Sequence, residues 1–368
     1  MNEVGTRAAD LDTPALVVDL DVMERNLARV AEYCRDHNLR LRPHTKTHKT
    51  PALGKKQLES GAAGLTVAKV SEAEVMLDSG TPDLLLAYPV IGVRKLERLI
   101  NVARQTSLTV SLDSVFAARQ LSDAANASQR DIGVLAEMDA GLGRVGVTPG
   151  RNLVELVRTI YRLPGLRFEG IAFYPGHIKS LDEDGLHAIE CLGRLLEGTL
   201  RELKNEGFEV RIVSGGSTPT LFHSHEVAGL NEIRPGTYIY NDRNTMLMGA
   251  CSLDDCAAYV ITTVVSTAKP GQIIIDGGSK TFSSDRPMTA EVSFGHIVEA
   301  PEAVFTKMNE EHGYVDVRRT PGDFSIGDRL RVIPNHVCVA VNLHEYVYGV
   351  RGGVVEQVWR VEGRGKLQ

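Results

Sequence analysis

The sequence lacks most of what would mark a secreted, fibrous or membrane protein. Its five cysteines (Cys34, Cys191, Cys251, Cys256 and Cys338) are few, odd in number and irregularly spaced, which excludes a disulfide framework and fits thiols kept reduced. No apolar run is long enough to span a bilayer, and the opening MNEVGTRAADLDTPALVVDL has no basic segment followed by an apolar stretch. The expectation is a cytoplasmic protein without a membrane partner. An excess of positive charge is also missing: 41 Lys and Arg against 47 Asp and Glu leave a net charge of -6, so no global field draws in phosphate backbones and nucleic acid is not expected as a partner. Glycine (35) and proline (15) are too few for a collagen-like or linker-rich chain, and there is no fixed-period repeat or low-complexity tract. With 43% hydrophobic and 24% charged residues, what remains is an ordinary globular protein.

Its 368 residues suffice for one large domain and a smaller one. Between residues 20 and 245, eight apolar strand-like runs alternate with stretches of helical period: LRLRPHT around residue 41, GLTVA, LLLAYPV, SLTVSLD, IGVLAEMD, FEGIAFYP, VRIVSGG and EIRPGTY. The first helix repeats Met23, Leu27, Val30 and Cys34 at helical spacing behind Asp21 and Glu24, a capping-box pattern. The longest, from about Leu181, places Leu186, Ile189, Leu192, Leu196, Leu200 and Leu203 on one face. Eight βα units in a row predict a TIM (β/α)8 barrel over 20–245. Beyond about residue 250 the pattern changes to β-branched runs broken by Gly, Pro and Asp, among them AAYVITTVVST, QIIIDGG, AEVSFGHIVE, YVDVRR and DRLRVIPNHVCVAVNL. This predicts a C-terminal antiparallel β domain over 246–368, completed by an N-terminal strand within residues 1–19.

Barrel active sites lie at the C-terminal ends of the strands, so the residues found there carry most weight. The first strand ends in Arg42-Pro43-His44-Thr45-Lys46-Thr47-His48-Lys49. A lysine in a desolvated, cation-rich mouth has its ammonium form disfavoured and becomes a usable amine nucleophile; the alternative is a solvated basic turn. After the seventh strand, Ser214-Gly215-Gly216-Ser217-Thr218-Pro219-Thr220 offers backbone N–H groups and hydroxyls to an anion, with a short helix beginning at Pro219, although a plain Gly-rich turn reads the same way. In the β domain, Asn335-His336-Val337-Cys338 read as strand puts an imidazole and a thiolate on one face, the start of a metal site with open positions, or else a buried pair with no such role. Position alone also brings in Arg144 with its glycine flanks, Tyr174 and His177 after the sixth strand, Tyr238, Asn241 and Asp242 after the eighth, and Asp276 and Glu311-His312 in the β domain.

The ordered set RPHTKTHK, VAKVSEAE, AGLGRVGV, SGGSTPT, Glu310-Glu311-His312-Gly313 and NHVCVAVNLH resembles the fold-type III pyridoxal-phosphate enzymes, in the branch of D-threonine aldolases and D-serine dehydratases with an alanine-racemase-like N-terminal domain. The likeness runs from Asp12-Thr13-Pro14-Ala15 to Trp359. It implies that Lys46 forms the Schiff base with pyridoxal 5'-phosphate, that Arg144, Tyr174 and Tyr238 contact the cofactor, and that Gly215, Gly216, Ser217 and Thr218 hold its phosphate. It further implies that His336 and Cys338 bind a divalent metal (zinc or manganese, with magnesium a third candidate), that the substrate is a β-hydroxy-D-amino acid, and that the protein is a homodimer. Two reactions fit such a site: retro-aldol cleavage to glycine and an aldehyde, or loss of hydroxide giving a 2-oxo acid and ammonia. VAKVSEAE and VRGGVVEQVWRV look closer to the aldolases, whereas His-x-Cys is the dehydratase pattern. Aldolases of this branch carry a histidine directly after the tyrosine of the sixth barrel strand; here Pro175 stands there and His177 two residues on, so His177 becomes the candidate base. The expectation is an aldolase, with the D-serine or 3-hydroxy-D-aspartate dehydratase as alternative. Other readings are a racemase using a tyrosine of the β domain, a cofactor carrier, which would lack this β domain, and a metal-dependent barrel hydrolase, which would show a multi-histidine cluster.

Overall fold

All eight apolar runs of the first two-thirds of the chain become parallel strands, because a strand covered by helices on one face and packed into a core on the other must be apolar on both. The structure, a computed structural model, describes residues 3–287 and 292–368. It divides into two units, one of Arg29–Lys46, Pro51–Gly236 and Gly365–Gln368, the other of Met1–Ala28, Thr47–Thr50 and Thr237–Arg364. In chain order the elements are β1 (Ala15–Asp19), α1 (Leu20–Asp36), β2 (Arg40–Leu41), α2 (Pro51–Glu59), β3 (Leu65–Val67), α3 (Val70–Met76), β4 (Asp83–Leu86), α4 (Val93–Ala103) and β5 (Ser107–Leu112). There follow α5 (Val115–Ala127), β6 (Ile132–Glu137), α6 (Arg151–Arg162), β7 (Leu166–Ala172), α7 (Glu183–Asn205), β8 (Ile212–Gly215) and β9 (Glu232–Ile233). The sheet runs β2-β9-β8-β7-β6-β5-β4-β3. A bridge from His44 to Thr66 joins its two end strands, with Thr45 N donating to Thr66 O at 2.9 Å and Thr66 N to Pro43 O at 2.8 Å, and this closes the barrel.

Inside it, the Arg42 guanidinium donates to Glu232 (2.9 Å) and Asp83 (2.8 Å), and the second oxygen of Glu232 accepts from Ser214 Oγ (2.8 Å). The connection between β8 and β9 is a 3-10 helix over Leu221–Glu226, so it starts two residues later than Pro219. Helix α1 buries Met23, Leu27, Val30 and Cys34 as its period requires. Its cap is Asp19, whose Oδ1 accepts from Val22 N at 3.1 Å, and not Asp21; Asp21 and Glu24 instead pair with Arg351. In α7, Ile189, Leu192, Leu196 and Leu203 are buried, while Leu186, in the first turn, is exposed.

The second unit contains β1, then α8 (Arg243–Leu247), β10 (Ala258–Lys269), β11 (Gln272–Ile275), α9 (Ser279–Phe282), β12 (Gly295–Ile297), β13 (Val304–Met308) and β14 (Gly313–Asp316), followed by β15 (Arg329–Pro334), α10 (Val337–Leu343), β16 (Tyr346–Arg351) and β17 (Val354–Arg360). Its sheet runs β13-β14-β11-β10-β1-β16-β17, with β15 on β10 and β12 on β15. The N-terminal strand joins this sheet as expected; it lies between β10 and β16, antiparallel to β10 (Leu16 beside Val260) and parallel to β16 (Val17 beside Tyr348), so the sheet is mixed and not wholly antiparallel. Of AEVSFGHIVE only Gly295–Ile297 is strand, and its Ala290 and Glu291 lie outside the described residues.

The largest difference from the sequence reading concerns DRLRVIPNHVCVAVNL. Its strand stops at Pro334, His336 is the N-cap of a helix (φ -133°, ψ 103°), and Cys338 lies in the first turn. Val337, Ala340 and Val341 sit at helical spacing and are buried, so the same run that alternates like a strand also carries a helical stripe. Asn335 fixes the break by donating to Asp285 O (2.9 Å) and Ser293 O (2.7 Å). No helix among the described residues is long and apolar enough to cross a membrane, and none of the five cysteines is in a disulfide.

Candidate active site

At the C-terminal ends of the barrel strands, the closing bridge holds Thr45 and thereby aims Lys46, which is half-buried and whose backbone N–H points to His44 Nδ1 at 3.4 Å. The Lys46 ammonium lies 5.8 Å from the centre of the Tyr174 ring, and the Arg144 guanidinium 4.8 Å from the same ring. Three of the expected cofactor residues, Lys46, Arg144 and Tyr174, therefore meet around one aromatic ring. Tyr174 directly follows Phe173 at the end of β7, and its ring packs against Gly176, where a Cβ would overlap it. Arg144 is carried by a loop wrapped around Asp139, whose carboxylate accepts from Gly141 N and Gly143 N (both 3.0 Å). These backbone donors hold the Asp139 pKa below the usual carboxylate range. The exposed His177 ring lies over Gly141, where a Cβ would come within 3.1 Å of Cε1.

The loop after β8 has the form of an anion cradle. Gly216 has φ +79°, Ser217 and Thr218 are buried, and Ser217 Oγ lies 3.1 Å from Thr220 Oγ1. Gly215 packs so closely on Phe173 that a Cβ would enter the ring. Behind this loop is a residue that sequence reasoning missed, Arg234, one position past β9. It is buried, donates to Phe173 O at 2.7 Å, and leaves its Nε without a partner. Burial pushes its pKa down, while Glu137 and Glu232 oppose this. Its signal was the string Glu232-Ile233-Arg234-Pro235-Gly236, a cation at the end of an otherwise buried strand. A buried orphan donor, a cradle without Cβ atoms and an amine beside an aromatic face suit a phosphorylated aromatic aldehyde, so these residues fit pyridoxal phosphate.

In the second unit, the loss of the strand does not separate His336 from Cys338, whose side chains are hydrogen-bonded to one another. Cys338 Sγ lies 3.2 Å from Thr47 Oγ1 and 3.7 Å from Thr237 Oγ1, and Thr47 is the residue after Lys46 in the chain. His336 Nδ1 is 3.2 Å from Asp242 Oδ2. Cys338 first, and then Asp242, push the His336 pKa up to about 11 against the burial that opposes them. Among the described residues no three His, Cys, Asp or Glu side chains converge on a metal position. The pair therefore offers two donors, one nitrogen and one sulfur, and suits a divalent ion that takes its remaining ligands from water or substrate. Tyr238 is buried in the one-turn helix Thr237–Ile239 of this unit. Asp276 accepts from Thr13 Oγ1 and Thr263 N, a scaffold role, and Glu310 and Glu311 pair with Lys280 at the surface (2.9 and 2.8 Å).

Comparison with known proteins bears on the whole chain. The family model "Alanine racemase, N-terminal domain" matches residues 18–244, and "Putative serine dehydratase domain" matches residues 257–350. The D-threonine aldolase of Arthrobacter sp is 32% identical, covering 98% of this chain and 95% of that one. The crystal structure of D-threonine aldolase from Filomicrobium marinum superposes with a TM-score of 0.93 at 32% identity over 99% of each chain. D-threo-3-hydroxyaspartate dehydratase from Delftia sp. HT23 superposes with a TM-score of 0.86 at 30% identity over 96% of this chain and 98% of that one.

Proposed function

The chain belongs to the D-threonine aldolase and D-serine dehydratase family of enzymes, and from that premise we propose that it is a lyase of β-hydroxy-D-amino acids dependent on pyridoxal phosphate and a divalent metal, of the D-threonine aldolase type. The observation that carries this is the meeting of Lys46 and Arg144 on the Tyr174 ring, beside a cradle whose residues suit a phosphate. When bound, pyridoxal phosphate would supply an electron sink for charge left at Cα. Lys46 brings the amine that anchors the cofactor and moves a proton at Cα; Gly215, Gly216, Ser217 and Thr218 bind the phosphate; Arg144 and Tyr174 fix the ring, and Tyr238 is assigned with them. His336 and Cys338 would hold zinc or manganese, whose Lewis acidity would make a β-hydroxyl easier to deprotonate. His177, at the exposed rim over Gly141, takes the hydroxyl proton, and the Cα–Cβ bond then breaks to glycine and an aldehyde. The family resemblance further supports a homodimer, and the few irregularly spaced cysteines support a reducing compartment such as the cytoplasm.

One observation favours a second reading. The thiol of Cys338 in the metal pair is the dehydratase pattern, and with Lys46 removing the Cα proton the same site would expel hydroxide and yield a 2-oxo acid and ammonia. Product analysis decides between them. Purified protein loaded with pyridoxal phosphate and Zn²⁺ or Mn²⁺ is given D-threonine and D-serine separately. Glycine and acetaldehyde from D-threonine establish the aldolase, while pyruvate and ammonia from D-serine establish the dehydratase. Lys46→Ala is expected to lose turnover and the absorbance of bound cofactor, and turnover surviving in that variant would sink the proposal.

A further inference from the structure

Asp242 is almost fully buried, and its two oxygens have different tasks. Oδ1 accepts from Thr245 N (2.8 Å) and Thr245 Oγ1 (3.0 Å), while Thr245 Oγ1 in turn accepts from Asp242 N (2.8 Å), which makes Asp242 the N-cap of α8. Asparagine would cap equally well. Oδ2 does something capping does not require: it accepts from Val337 N at 3.0 Å and lies 3.2 Å from His336 Nδ1. One oxygen thus takes the Val337 N–H and faces the imidazole nitrogen while the other still caps a helix, and a carboxylate, which only accepts, suits both when Nδ1 carries the proton.

We propose that Asp242 is a positioning residue for the metal site: by accepting the proton on His336 Nδ1 it fixes the imidazole so that Nε2 carries the lone pair offered to the metal. This rests on the reading that His336 and Cys338 hold a divalent ion. A histidine that ligates through one nitrogen needs the proton held on the other, and a carboxylate holds it while raising the basicity of the ligating atom. In Asp242→Asn the amide has one acceptor. If its oxygen stays on Thr245 N, its NH₂ faces His336 Nδ1, which must then present a lone pair and move the proton to Nε2, the nitrogen the metal needs. If the amide flips, the cap of α8 is lost instead. The same wrong-tautomer logic governs a carboxylate behind a catalytic imidazole.

The test is metal affinity, measured on purified, cofactor-loaded, metal-free protein by Zn²⁺ competition with a chromophoric chelator and by the thiolate-to-metal absorption of added Co²⁺. Asp242→Asn is expected to weaken Zn²⁺ binding about 10- to 100-fold while the Co²⁺ complex that does form keeps its thiolate band, because Cys338 still ligates. Thr245→Ala removes half of the capping box and leaves both Oδ2 bonds in place, so its Zn²⁺ affinity is expected to match the wild type. Affinity unchanged in Asp242→Asn, or reduced equally in Thr245→Ala, overturns the proposal. Wild-type protein that takes up no Zn²⁺ removes the metal reading, and the role of Asp242 with it. Should Asp242→Asn fail to fold, the Zn²⁺-loaded wild type labelled with ¹⁵N-histidine decides: a protonated Nδ1 on His336 supports the assignment, and metal on Nδ1 refutes it.

Discussion

At the scale of single residues, what was legible in the sequence was chemistry concentrated at strand ends. Lys46, Arg144 and Tyr174 stood out because a lysine, a glycine-flanked arginine and a tyrosine each follow an apolar run, and a barrel brings such positions together whatever their separation in the chain. Arg234 and the task of Asp242 were not legible, since each is defined by partners 60 to 95 positions away (Phe173 for one, His336 for the other) and by burial that a string does not display. Gly215 sits between these cases, visible as a glycine yet required for a reason only the structure shows. Its Cα faces the fully buried Phe173 ring, which has no room to retreat. Gly215→Ala is therefore expected to cost about 1–3 kcal/mol of stability through overpacking and to displace the Gly216–Thr218 cradle. Thermal denaturation combined with pyridoxal phosphate content after dialysis checks both parts. A variant with normal cofactor retention would show that the loop tolerates the shift and that the glycine is not needed for the cradle.

At the scale of elements, the strands and helices of the barrel were readable because their periods differ and recur, whereas the run after Pro334 satisfied both periods at once. Val337, Val339 and Val341 alternate as in a strand, and Val337, Ala340 and Val341 form a helical stripe. Tertiary contacts break the tie: Asn335 and Asp242 take up the polar groups at the turn, and β-propensity yields to packing. The start of α1 was misplaced for a related reason, as two aspartates lie within three residues and the sequence does not say which one precedes the first turn. The geometry assigns the cap to Asp19. Asp19→Ala is expected to lose about 1 kcal/mol and lower the melting temperature by a few degrees. Asp21→Ala, which removes only one carboxylate from the exposed cluster around Arg351, is expected to cost less, since such pairs contribute little. The reverse order in denaturant titrations would return the cap to Asp21.

At the scale of the whole molecule, the alternation of eight apolar runs with helical stretches settled the barrel, and the β-branched tail settled the second sheet. The parallel pairing of β1 with β16 stayed hidden because strand order in a mixed sheet is not encoded in any local period. The acid response is likewise a property of the entire chain. His296 and His344 have depressed pKa values, each chiefly through burial, so the folded protein binds their protons more weakly than the unfolded chain does. As pH falls below about 6.5 the unfolded chain takes up protons the folded one refuses, and stability is lost. His336, whose pKa is raised, acts in the opposite sense and is already protonated in both states well below that pH. Carboxylates add a second window: backbone donors depress Asp139 and Asp182, and Arg318 holds Asp316 at about 2, so stability they provide above about pH 4 is lost as they protonate. The histidine window can be isolated by urea denaturation at pH 7.5 and 5.5. The wild type is expected to lose more stability between these two values than His296→Asn/His344→Asn, because the double variant lacks the two imidazoles whose protonation burial opposes in the folded chain. Equal losses in the two proteins would mean that both histidines titrate alike in the folded and unfolded chain, and that burial of the imidazoles leaves no mark on the acid limb.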